Sequence, residues 1–471
     1  MAWSSMTVLA SMWESGVDSV WSSRRTFDAR ASTSKFSDGV ADQEYARDAA
    51  SQGERSARSR TLTFVYGERA GIGERIRQLR MDRAPRLTQQ ELADRAGVSV
   101  EVIRKLEQGR RQTVLIGTLQ AIARSLDTDA ATLVSAPAAL STPEDPAAAG
   151  VRAIRRVVTA VEDLAGLAGP EDTAPSLAEL RRSVSYAWGC YWASDYDALG
   201  VSLPTLVTGA RAAVRDSDSR HAPAAHDVLA EAFQVTACLL VHLGHHDLAH
   251  LALERALDAS ARGDDALRHA SLLGSVAWLL TSQGRFAESV RVSLGAADRC
   301  EPRISQTSPA ELSVWGNLVL TGATAAARDD NVDQANDLLS VATTAATRIG
   351  SDRNDYQTSF GPSQVVMQSV DAAVTTCRFT HALETAVRMP AESALPLAAR
   401  ARHLTDVAQA QIHLGRDALA VDTLLYIERV SPRWMRFHAL PQAITRELLE
   451  RERRARTPRL RGLARRLGLP A

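Results

Sequence analysis

Residues 88 to 110 read TQQELADRAGVSVEVIRKLEQGR, and their reading decides the fold of this part of the chain. Thr88 followed three residues later by Glu91 is a capping box, in which each side chain satisfies a backbone N–H of the other, so a helix starts at Gln89. Gly97 ends it by supplying the backbone freedom that a tight turn needs. Ser99 caps a second helix that runs to about Gln108, and Gly109 stops that one. Leu92, Ala93, Ala96, Gly97, Val98, Ile103 and Leu106 fall where two helices joined by a sharp turn must touch, with Ala93 small because the second helix crosses there. An ordinary surface hairpin has no need of that combination.

The pattern resembles the helix-turn-helix of the XRE family, whose founding members are small phage repressors and Cro proteins. The resemblance runs from GERIRQLR (73–80) through the quoted hairpin to TLQAIARSL (118–126). It departs from the family between Leu79-Arg80 and Leu87-Thr88-Gln89, where MDRAPR carries two extra residues in the loop between the first two helices. The implied fold is a small five-helix repressor-type domain.

In that fold the second helix of the hairpin presents Ser99, Val100 and Glu101, with Arg104 and Lys105 one turn on, to the major groove. Lys105 and Arg104 are donors for guanine O6 and N7, Glu101 an acceptor from cytosine N4, and Val100 a contact for a thymine methyl. Gln89 resembles the family's phosphate-contacting glutamine, and Gln108, Arg110 and Arg111 lie where further backbone contacts are expected. Glu107 opposes the helix dipole and repels phosphate, so it needs a cation. The resemblance implies Arg80 as its structural partner. Outside such a motif these charges read as a solvated helical face.

Net charge alone points to no nucleic acid, since 55 Lys and Arg balance 55 Asp and Glu over 471 residues. Distribution matters more: Ile72 to Leu126 holds eleven basic and six acidic residues, and Arg446 to Arg466 nine against three. Lys35 and Lys105 are the only lysines, an alanine- and arginine-rich usage that is actinomycete-like. Cys190, Cys238, Cys300 and Cys377 lie far apart, with neither disulfide nor zinc spacing, which reads as a reducing cytoplasm. No apolar run approaches the ~20 residues of a membrane span. The N-terminus lacks the basic region of a signal peptide. No nucleophile elbow, phosphate loop or kinase set occurs, so the expectation is neither an enzyme nor a cofactor protein.

Residues 1–66 contain thirteen serines in their first sixty positions and no sustained period, and read as disordered, or as untranslated if synthesis starts further down. Gly71-Ile72-Gly73 follows TLTFVYG, but the third glycine of a dinucleotide loop and its βαβ setting are missing. The expected division is a DNA-binding domain at 67–135, a proline-containing linker at 136–150, a helical region at 151–454 and a basic tail at 455–471. The whole is all-α.

The helical region carries a weak repeat. LGHHDLAHLALERAL (243–257), QGRFAESVRVSLGAA (283–297), DDNVDQANDLLSVAT (329–343), LGRDALAVDTLLYIE (414–428) and, more weakly, CRFTHALETA (377–386) align on a turn residue followed five positions later by a small one. The anchors Gly244, Gly284, Asp330, Cys377 and Gly415 are 40, 46, 47 and 38 residues apart. They resemble tetratricopeptide hairpins with lengthened loops, which stack into an α-solenoid with a concave groove. Before them, Trp188, Tyr191, Trp192 and Tyr196 form an aromatic stripe, with Trp188, Trp192 and Tyr196 on one helical face: a core stripe, or a ligand or dimer face. His242, His245, His246, Asp247 and His250 straddle a repeat turn without the spacing of a metal site, so no metal is expected.

The combination resembles bacterial transcription regulators. It implies double-stranded DNA as partner, a homodimer on a palindromic operator, and repeats that sense a peptide, small molecule or protein. The alternative is a helical-repeat protein-binding adaptor, antitoxin-like or anti-activator, tethered to DNA.

Overall fold

A computed structural model describes residues 72–83, 86–110, 116–126, 128, 133, 146–160, 174–303, 307–390, 392–451 and 458–469. The segment 1–66 and Arg111 lie outside them. Among the described residues there is no strand, only one bridged pair, Arg353 and Phe360.

The first four helices are α1 (Ile72–Asp82), α2 (Gln89–Ala96), α3 (Val100–Glu107) and α4 (Ile116–Ser125). Thr88 and Glu91 form both hydrogen bonds of the capping box at α2, and Gly97 takes the left-handed conformation at φ 62°. Ser99 precedes α3 without a side-chain capping bond, so the start of α3 is set by the turn rather than by its hydroxyl. Of residues 127–135, which complete the domain expected to have five helices, only 128 and 133 are described.

α5 (Pro146–Val158) begins inside the stretch expected to be linker. It lies against the helix Tyr196–Asp216, where Gly150 meets Gly200 backbone to backbone. Six hairpins follow: α6 (Leu177–Trp192) with α7 (Tyr196–Asp216), α8 (Ala222–His242) with α9 (His246–Ser260), α10 (Ala266–Ser282) with α11 (Phe286–Arg299), α12 (Pro309–Arg328) with α13 (Val332–Ile349), α14 (Pro362–Thr375) with α15 (Phe379–Ala386), and α16 (Leu397–His413) with α17 (Asp417–Val430). First helices of successive hairpins from α8 to α16 lie side by side, which is the stacking of an α-solenoid.

One turn geometry generates the stack. The anchors Gly244, Gly284, Asp330, Cys377 and Gly415 all have positive φ, between 59° and 77°. At each, the next residue's N–H reaches back to a carbonyl in the last turn of the preceding helix, as in His245 to Leu240 (2.9 Å) and Arg416 to Gln411 (2.8 Å). Five residues on, Ala249, Ser289, Ala335, Ala382 and Ala420 are all buried, because the paired helix crosses there. Ser194, at φ 59°, makes the same turn between α6 and α7 and adds a hairpin that the repeat pattern does not reveal.

The chain closes with α18 (Pro432–Phe437), α19 (Ala439–Arg451) and α20 (Pro458–Arg466). The basic C-terminal segment is not a loose tail: Leu460, Leu463 and Ala464 are buried and Arg466 pairs with Glu428 of α17 at 2.5 Å. The buried apolar residues of α1–α4 belong to one cluster with those of α16–α20. Among the described residues one helix, α8, has the length and mean composition to cross a membrane, although polar residues interrupt its apolar run, and most of it is buried inside the stack.

Candidate nucleic-acid interface

α3 is fixed from behind by one carboxylate. Arg80 of α1 donates from Nε to Glu107 Oε1 and from Nη2 to Oε2, each at 2.7 Å, and Gln89 Nε2 donates to the same Oε2 at 2.7 Å. Arg80 also donates from Nη1 to the Leu87 carbonyl at 2.8 Å, and so closes the lengthened α1–α2 loop. Both members of the pair are buried, and the hydrogen bonds to Glu107 hold the Arg80 guanidinium above its usual range. Glu107 therefore ties α1, the start of α2 and the end of α3 together. Gln89, read as a phosphate contact, spends one amide proton inside the protein.

The backbones of α1 and α3 also approach closely. A Cβ placed on Gly73 would lie 1.8 Å from the Leu106 carbonyl oxygen, so only glycine fits. This is the use of the glycine that invited comparison with a dinucleotide loop. Leu92, Ala93, Ile103 and Leu106 fill the space between the helices and are fully buried.

The outer face of α3 carries Glu101, Arg104 and Lys105. Arg104 and Lys105 side chains are about half exposed, at 52% and 51%. Glu101 pairs with both, with Lys105 at 3.4 Å and with Arg104 more closely. The three candidate base-reading groups thus form an intrahelical cluster that the spacing i, i+3, i+4 made legible. Such an exposed cluster contributes little to stability and can open at small cost. Ser99, Gln108 and Arg110 are exposed beside it, and Val100 is half-buried. The surface offers donors, an acceptor and a methyl group on one helix.

The aromatic group lies elsewhere and does not form a surface. Trp188, Tyr191 and Tyr196 are buried, which removes these three from an open face, and Trp192 is half-buried. Nor do Trp188, Trp192 and Tyr196 share one helical face, since α6 ends at Trp192 and Tyr196 opens α7 beyond the Ser194 turn. Tyr191 Oη lies 3.1 Å from His242 Nε2, and the His242 ring packs on Tyr196, Trp278 and His438. His438 stacks on Trp434, and Arg433 pairs with Asp195, so the segment around α18 folds back onto the first two hairpins. His242 is part of this ring cluster, while His245 caps α9 without a side-chain bond. Among the described residues no group of three or more His, Cys, Asp or Glu is arranged to hold a metal ion.

The segment 351–361 has no counterpart in the repeat pattern. Ser271 donates to the Tyr356 carbonyl (2.9 Å), Asn317 to the Thr358 carbonyl (2.6 Å) and Trp192 Nε1 to Gln357 Oε1 (2.8 Å). The segment thus ties α6, α10 and α12, with Tyr356, Gln357 and Ser359 at positive φ.

A helix-turn-helix family model matches residues 76–133. No curated protein matches the chain. Among solved structures, PilF of Pseudomonas aeruginosa is 15% identical, covers 55% of this chain and 97% of its own, and superimposes with a TM-score of 0.31. PlcR of Bacillus thuringiensis, solved in complex with the peptide PapR7 and DNA, is 11% identical, covers 77% of this chain and 99% of its own, with a TM-score of 0.34. At that level of superposition neither bears on what this chain binds.

Proposed function

We propose that this chain is a cytoplasmic, sequence-specific DNA-binding regulator of transcription. Its DNA-binding part spans the helices up to about residue 135, and the hairpin stack from Pro146 onward serves dimerisation and response to an effector. The observation that carries this reading is α3: a helix held from behind by Glu107, Arg80 and Gln89, with Arg104, Lys105 and Glu101 turned outward on a segment that matches a helix-turn-helix family. In that role Lys105 and Arg104 read guanines and Glu101 a cytosine, with Ser99 and Val100 beside them. Gln89, Gln108, Arg110 and Arg111 hold phosphates. One such helix neutralises few phosphates, so two copies on a palindrome are needed for affinity at physiological salt.

The test is selection of duplexes from a random pool by the purified full chain. The reading expects enrichment of an inverted repeat, and relaxed preference at one position of each half-site for Lys105→Ala. Enrichment of no sequence, together with a tight protein partner whose capture survives Lys105→Glu, supports the adaptor reading instead.

A further inference from the structure

Between α1–α4 and the hairpin stack lies a cavity of about 340 Å³. One wall carries Arg83 after α1, Arg95 of α2 and Arg124 of α4, and the other is the α12–α13 turn with Arg328, Asp329 and Asp330. Arg124 and Asp330 bridge the walls at 3.8 Å, with Asp330 largely exposed, an interaction worth little in water. Arg328 is committed to Asp371 by two hydrogen bonds of 2.9 and 3.2 Å, and Asp371 also takes Arg402 at 2.7 Å.

Arg83, Arg95 and Arg124 line this space opposite Asp329 and Asp330, and Arg328 is already taken by Asp371. Burial and the positive charge of Arg95 hold the Arg83 guanidinium below its usual range, and burial pushes the Asp329 carboxyl up.

We propose that this cavity binds a small polyphosphate anion of the pyrophosphate type, gripped by Arg83, Arg95 and Arg124 in the field of Arg328. Planar guanidinium forks match phosphoryl oxygens two at a time, which makes such a trio a phosphate site rather than a general anion sink. The volume lies at the lower end of the ~300–1,000 Å³ of small-molecule sites. Among the described residues its apolar lining is Ala96 and Ala121, too little to bury a base or other large apolar group, which favours a compact anion over a nucleoside. The anion displaces Asp330 from Arg124 and sets how the DNA-binding helices sit on the stack. That is a coupling between two sites.

The test is calorimetric titration of the full chain with pyrophosphate and, separately, sulfate. We expect saturable one-site binding of pyrophosphate, at least tenfold weaker in the Arg95→Gln/Arg124→Gln variant and unchanged in Arg459→Gln, whose guanidinium pairs with Asp422 elsewhere. Asp330→Asn, which removes the competing carboxylate, binds several-fold tighter and keeps the test decisive if the double variant folds poorly. No saturable binding, sulfate binding as tight as pyrophosphate, or equal affinity in all variants overturns the proposal. No DNA enters the titration, so its failure is distinct from failure of the regulator reading.

Discussion

Glu107 accepts three hydrogen bonds from two side chains on two other segments, and its partner Arg80 has almost no contact with water. Removing one member of a buried pair strands the other, at about 3–5 kcal/mol, whereas replacing both with apolar groups is far milder. Glu107→Ala should therefore lower stability by about 3 kcal/mol, and Arg80→Met/Glu107→Met by much less, as read from urea unfolding of the full chain. Equal losses would mean that packing, not charge, holds α3. The need of Glu107 for a cation was legible, because an acid at a helix C-terminus opposes the dipole. The bond from Gln89 was not, because it depends on how far a side chain reaches between helices. The same residue read equally well as a phosphate ligand. Ser99 shows the converse: a good capping residue by type that makes no capping bond.

Elements were legible where backbone geometry demands a particular residue. Glycines at 244, 284 and 415 announce left-handed turns, and the small residue five positions later announces the crossing helix. The same turn at Ser194 went unseen because serine carries no such signal and Leu199, not a small residue, stands at the fifth position. Segment 351–361 was invisible for a related reason, since Tyr356, Gln357 and Ser359 adopt positive φ although nothing in their chemistry favours it. Gly73 was noticed and its purpose missed, because close approach of α1 to the Leu106 carbonyl is a fact of packing rather than of local sequence. Gly73→Ala should force the two helices apart and cost about 1–3 kcal/mol, seen as a lower melting temperature with the far-ultraviolet helix signal retained. An unchanged melting point would show that α1 and α3 do not meet there.

At the scale of the molecule, residues far apart in sequence come together where the segment around α18 folds back on the first hairpins. No local pattern foretells that junction: Tyr196 and His242 were conspicuous, whereas Trp278, Trp434 and His438 were not. Burial in this cluster holds His242 down at about 4, and His403 and His413 are also held at about 4. A histidine whose folded pKa is depressed favours folding at neutral pH, and that stability is lost as pH falls from about 6.5 to about 4. Asp406, pushed up to about 7 by burial, works the other way and loses stability as pH rises through the carboxylate range towards 7. His242→Gln isolates one contribution. Relative to it, wild type should lose an additional ~2 kcal/mol between pH 7 and pH 4.5, and parallel profiles would place His242 in water.

The regulator reading rests on α3 entering a groove, and fluorescence anisotropy of the full chain on DNA from upstream of its own gene, against unrelated DNA at two salt concentrations, tests it most directly. The account predicts preference for the upstream DNA that Lys105→Ala weakens by about 1–3 kcal/mol while relaxing specificity. Equal, salt-sensitive binding to both DNAs, the same for wild type and Lys105→Ala, would contradict it.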